Sequence, residues 1–298
     1  MAESALDLAE QQRRLARAEV LLPRRSLTRR LARDKTALAG LVILLVAFSM
    51  ALLGPHIAPY DPDAQNVLNR YAGPSAEHLL GTDNLGRDEL SRLLHGARIS
   101  LLSALAVGIA IMLIGIVIGT IAGLAGGFVD GLLMRIVDVL LAFPSLLLAL
   151  AVTGMLGPGL LHLLVAVTAV WWVEYARLMR GLVLSVKERP FVESARALGL
   201  PPRLVALRHV IPNMISPVVV LGTLLTGRLL LALSTLSFLG LGVQPPTPEW
   251  GAMLSEGAAF LARAPHLMLF PGLAITITAL GFNLLGDGLR DALDPTVQ

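Results

Sequence analysis

The sequence predicts an all-α membrane protein with six transmembrane helices, and three observations carry that prediction. Hydrophobic residues make up 55% and charged residues only 15%, with a mean hydropathy of +0.73. An average soluble domain carries about 25% charge, so the chain is too poor in charge to wet a soluble surface. Long uncharged runs recur along it, and basic islands flank them. The net charge of +3 does not point to nucleic acid, because the basic residues are concentrated in those islands. Nine of the 24 Lys+Arg precede Thr36 and seven lie between Glu174 and Val210. That is the positive-inside pattern of cytoplasmic segments. With no cysteine, disulfides, thiolate metal sites and a cysteine nucleophile are excluded.

The spans follow in order from the gaps between charges. No Asp, Glu, Lys or Arg stands between Lys35 and Asp61. At about 1.5 Å per residue that run crosses a hydrocarbon core about 30 Å thick. The next runs are Arg98–Asp130 and Asp138–Glu174, the latter divided by the turn cluster Gly154-Met155-Leu156-Gly157-Pro158-Gly159. His209–Pro248 is interrupted only by Arg228, and Ala264–Gly286 is the last run. The expected spans are 37–54, 100–123, 132–155, 160–178, 212–238 and 267–285. Even parity puts both termini and the Glu174–Val210 loop in the cytoplasm. The 55–98 loop, with four Arg against six acids, and the 241–266 loop then face outward. Residues 7–33 are Arg-rich and amphipathic, as in a helix lying on an anionic leaflet or in a merely solvated tail.

The cytoplasmic loop is patterned beyond what a lipid-embedded bundle needs. Pro190 suits the first turn of a helix, Gly199 suits its left-handed end, and Pro201 and Pro202 forbid continuation. Phe191, Ala195 and Leu198 recur at i, i+4 and i+7 and predict one apolar face. A second short helix, about 202–210, leads into Pro212. The chain has no G-x4-G-K-[ST] phosphate loop, so ATP would have to be handled by a partner.

Glu193-Ser194-Ala195, then Gly199 and Pro212 at the matching spacing, resemble the E-A-A-x3-G-x9-I-x-L-P signature of ABC importer permeases. Ser194, His209 and Ile211 depart from its consensus. The segments Gly81–Asp88, Leu239–Gly251 and Phe282–Asp291 are similar to the dipeptide/oligopeptide/nickel branch, most like the C-type subunit of a dipeptide permease. The resemblance implies the type-I importer fold. It divides the chain into a basic segment 1–36, a first span 37–54, an external loop 55–98, a core 99–287 with coupling loop 179–211, and a tail 288–298. It also implies a bacterial inner membrane and alternating access that passes dipeptides or short oligopeptides, or nickel chelates. The implied partners are a homologous B-type permease, two ATPase subunits that use ATP and Mg, and a periplasmic binding protein. No cofactor is expected on this chain. Glu193, Ser194, Ala195, Gly199 and Pro212 take the ATPase-coupling role by the same resemblance.

Five further expectations come from residue placement and spacing. Arg228 lies about 16 residues beyond Pro212, roughly 24 Å along its span. There it either faces the substrate pathway or snorkels to an interface. Asp83, Arg87, Asp88 and Arg92 supply either an external partner contact or an internal lattice. Arg135 with Asp138, and Glu174 with Arg177, are expected to pair. Trp171, Trp172 and Trp250 are expected as interfacial anchors, and Gly108/Gly115/Gly119/Gly123 and Gly222/Gly227 as close helix contacts. A secondary transporter is disfavoured because the expected span interiors offer Arg228 and no acid. A scaffold that only recruits a partner would bind without uptake.

Overall fold

The computed structural model describes residue 31 and residues 34–293. Apart from Leu31, the amphipathic stretch expected over 7–33 lies outside the described residues. The first span is α1, Lys35–Ile57. Its N-cap is Asp34, which accepts from the Thr36 hydroxyl at 2.6 Å, the Thr36 N–H at 2.8 Å and the Ala37 N–H at 3.3 Å. The Thr36 hydroxyl chiefly holds the Asp34 carboxyl below the usual range. A short 3-10 turn, Val67–Asn69, lies within the 55–98 loop.

Helix α2, Glu89–Ala125, has 37 residues and is about 55 Å long, more than a bilayer core requires. Its last charged residue is Arg98, so the spanning stretch is the expected 100–123. The first three turns stand outside the hydrocarbon and form part of a cap with the 55–88 loop.

The third span departs from the expectation of one helix over 132–155. It is two helices, α3 (Gly127–Leu141) and α4 (Ser145–Leu156), which meet at 85°. Pro144 explains the break: it has no N–H to donate, and it disfavours a helical Phe143 before it. The pair still crosses once, because its two ends contact opposite faces of the bundle. At one end Arg180 donates to both oxygens of Asp130, at 2.5 and 2.6 Å. At the other the Gly159 N–H donates to the Leu241 carbonyl at 3.1 Å. Two charge pairings are corrected on the way. Asp138 pairs with Arg177 rather than Arg135, and Glu174 accepts from Ser145 at 3.1 Å rather than pairing with Arg177. Both contacts run across the seam between this broken span and α5, Leu160–Lys187, because the two segments are antiparallel neighbours.

After α5 come α6 (Pro190–Ala197), the single turn α7 (Pro202–Val205) and a π turn, Ala206–Val210. The π turn leads into α8, Ile211–Phe238. Helix α9 (Trp250–Ala258) lies over the cap face, and α10 (His266–Leu293) returns across the bundle. Helix α10 continues past the expected boundary at 287, so residues 288–293 of the expected tail are helical. Helix α2 is central, packed most closely on α5 and also on α1 and α8, while α10 bridges α1 and α8.

The glycine rows do what close packing needs. A Cβ at Gly119 would lie 2.5 Å from Met179 Cβ and 2.6 Å from the Ala176 carbonyl oxygen. Gly119→Val should therefore pry α2 from α5 and destabilise the bundle by about 1–3 kcal/mol or more. Gly154→Ala, where a Cβ would meet nothing within 4 Å, is the control. Thermal unfolding in detergent should separate the two. Equal melting temperatures would refute the packing account.

Candidate functional site

Two polar constructions stand out, one at each end of the bundle. The first is the 179–211 loop. Pro190 opens α6 at its first turn, with Glu193 as the acid near its positive end. Ser194 donates its hydroxyl to the Pro190 carbonyl at 2.8 Å. Gly199 takes φ 82°, a left-handed value that ends the helix, while its N–H donates to the Arg196 carbonyl.

The expected apolar face of α6 is corrected. Val192 and Ala195 turn inward and join Val186, Val205 and Val210 in the core. Phe191 and Leu198 turn outward, Leu198 to 81% exposure. An i, i+3 pair suffices to seat so short a helix, which leaves the larger residues free. The exposed surface of α6 therefore combines Phe191, Glu193, Ser194 and Leu198.

The loop is joined rigidly to the fifth span. Residues Arg203–Phe238 form one continuous helical rod of 36 residues, about 54 Å long. Pro212 lies in its first α-turn after the π turn, and Asn213 Nδ2 donates to the His209 carbonyl at 2.7 Å. A π turn at this junction marks the place where the rod changes pitch beside the loop. Arg228 sits on this rod, exposed and without an ion pair among the described residues.

The second construction is the cap, and here the expectation of a partner contact is corrected. Asp83, Arg87, Asp88 and Arg92 are all buried inside this chain, with Arg92 only 1% exposed. They form the lattice instead. Arg87 reaches Asp83 at 2.5 Å and Glu256 of α9 at 2.8 Å. Arg92 reaches the same Glu256 oxygen at 3.1 Å and the Pro246 carbonyl at 3.3 Å. Asp88 caps α2 by accepting from the Ser91 N–H and hydroxyl, while His78 Nδ1 donates to its other oxygen at 2.9 Å. The physical reason is desolvation: buried guanidinium groups demand carboxylates, and Glu256 is within reach only after folding.

Trp250 is likewise not an interfacial anchor. It is 1% exposed, and its indole N–H donates to the Leu93 carbonyl at 3.0 Å. Beside it Glu249 accepts from the Gly251 and Ala252 N–H groups and from the Ser100 hydroxyl. The sequence reading missed Glu249 and Glu256 as structural acids. Glu249 before a helix start was a readable capping signal, whereas nothing local marks Glu256.

A multi-pass helical bundle with a short exposed helix on its 179–211 loop, and no phosphate loop in its sequence, fits the permease class of ATP-driven importers, in which the ATPase is in separate subunits, and the relatives show that class. Residues 115–298 match the family described as binding-protein-dependent transport system inner membrane component. Residues 23–74 match the N-terminal TM domain of oligopeptide transport permease C. The chain is 44% identical over 284 residues to the glutathione transport system permease protein GsiD of Pectobacterium atrosepticum. It is 45% and 46% identical over 288 residues to the GsiD proteins of Escherichia coli O157:H7 and Shigella dysenteriae serotype 1. Each match covers 94% of this chain and 93% of the relative. The chain belongs to the binding-protein-dependent ABC importer permeases, as a C-type member of the dipeptide/oligopeptide branch.

Proposed function

We propose that this permease passes small peptides bearing more than one carboxylate, with glutathione the first cargo to test and dipeptides the second. The observation that carries this reading is Arg228, an exposed guanidinium in the middle of the fifth span with no ion pair among the described residues. A charge at that depth is retained where it faces a watery path or a partner. It would meet an anionic cargo there, and the relatives named for glutathione transport fit such a cargo.

In this reading both termini and the 179–211 loop face the cytoplasm of a bacterium, and the chain lines half of a pore shared with a B-type permease. A periplasmic binding protein delivers cargo to the cap side. Two ATPase subunits, which bind the ATP and Mg, dock on α6 through Phe191, Glu193, Ser194 and Leu198, while Ala195, Gly199 and Pro212 hold its shape. Closure of the ATPases moves α6, the rod from Arg203 to Phe238 carries the motion past Arg228, and access alternates. The same reading assigns no cofactor to this chain.

The test is uptake of labelled glutathione, neutral dipeptides and nickel in cells with and without the chain. Loss of glutathione or dipeptide uptake supports the peptide reading, and loss of nickel uptake alone moves the cargo to metal chelates. Arg228→Gln should reduce uptake of acidic peptides about five- to tenfold while sparing neutral ones, the loss of one charge-assisted contact. Equal uptake of both classes would overturn the role of Arg228.

A further inference from the structure

The cap lattice contains one acid that its salt bridges do not use. Glu89 begins α2, about 16 Å before the spanning stretch starts, and is 2% exposed. Its Oε1 is buried and has no hydrogen-bond partner among the described residues. It lines a cavity of about 10 Å³ with Asp83, Asn84, Arg92, Met253, Glu256, Gly257 and Leu267. That is room for one water-sized group. The cavity lies between the start of α2, the 55–88 loop and α9, where Arg87 and Arg92 grip Glu256.

The charged groups around it come from every side. Asp83, Arg87, Asp88 and His78 belong to the loop, and Arg92 belongs to α2 itself. Glu256 comes from α9, and from α10 His266 donates Nε2 to the Thr82 carbonyl. With Glu89 ionised, it would join Asp83 and Glu256 as a third carboxylate around the guanidinium groups of Arg87 and Arg92. A lone buried carboxylate without a donor is strongly disfavoured, so the neutral acid is the form that fits.

We propose that Glu89 is a proton-binding site on the cap face, through which the pH on that side sets the grip of the cap on α9. Protonated, Glu89 leaves both arginines to Glu256 and Asp83. Ionised, it competes for Arg92 and repels Glu256, loosening the cap from α9 and from the outer end of the pore.

Burial, opposed by the Arg92 guanidinium and reinforced by Asp83 and Glu256, pushes the Glu89 carboxyl up to about 8. In the unfolded chain the same carboxyl titrates near 4.5. Across that window the folded protein holds a proton that the unfolded chain has released, so stability falls as pH rises from about 4.5 to 8. The site is about one tenth ionised at pH 7 and about nine tenths at pH 9.

The experiment is thermal unfolding of the purified, assembled importer between pH 6.5 and 9, for the wild type, Glu89→Gln and Glu89→Met. The wild-type Tm should fall by several degrees from pH 6.5 to about 8 and level off above it, and both variants should lose that inflection. In parallel, the ratio of Glu89→Gln to wild-type uptake should rise severalfold from pH 7 to pH 9. The ratio removes the pH dependence of the shared partner subunits. A wild-type Tm without an inflection between pH 7 and 9 overturns the proposal, as does an inflection that survives in Glu89→Gln. The Tm arm does not depend on the cargo, so its failure is distinguishable from an error in the substrate assigned above.

Discussion

Glu193→Arg is expected to lower uptake by more than about tenfold while the protein inserts and folds normally. The expected size follows from reversing a charge at the centre of the proposed ATPase-docking surface, because close charge pairs across an interface couple by about 1.5–7 kcal/mol. Insertion should survive because Glu193 is exposed and α6 is seated by Val192 and Ala195 on its other side. Two readouts are needed: cargo uptake, and the amount of chain recovered from the membrane with its partner subunits. Normal uptake would refute the coupling role of α6. Lost uptake with lost insertion would instead show that Glu193 supports the fold. A milder companion is Leu198→Ser, which removes an exposed apolar contact without touching the core. It should weaken coupling without changing thermal stability.

Arg92→Ala is expected to be the most destabilising single change in the cap, costing about 3–5 kcal/mol. The guanidinium is almost wholly buried and serves Glu256, Asp83 and the Pro246 carbonyl together. Its removal strands buried acids, whose desolvation then goes uncompensated. The double change Arg92→Met with Glu256→Met should recover part of that loss, because removing both partners of a buried pair can be nearly neutral. Proteolysis of the 55–88 loop and the melting temperature would both report it. Additive single effects would mean that Arg92 and Glu256 do not act on each other, contrary to their 3.1 Å contact.

The two ends of the bundle differ in how far local sequence announces them. In the 179–211 loop, Pro190 and Gly199 marked the start and stop of α6 within a residue or two, since both act through backbone constraints of their own. The face of α6 was misread because Phe191, Ala195 and Leu198 satisfy the helical period as well as Val192 and Ala195 do. What seats the latter pair is Val186, Val205 and Val210, which the period of one helix does not include. The break at Pro144 was missed since the uncharged run alone continues through it. Arg177 and Asp138, 39 positions apart, found each other only after α3 and α5 packed antiparallel.

The span count and rough span limits, the sign of each loop and the shape of α6 were determined by the sequence by itself. In a bilayer each spanning segment must satisfy its own backbone hydrogen bonds, so a run of about 20 uncharged residues is enough to define a helix. The tertiary structure alone decided what the charges do. Arg87 meets Glu256 across 169 positions, and Trp250 meets Leu93 across 157. A buried charge or indole N–H must be paired wherever packing places a partner, and the partner's place in the chain is set by the fold rather than by its neighbours.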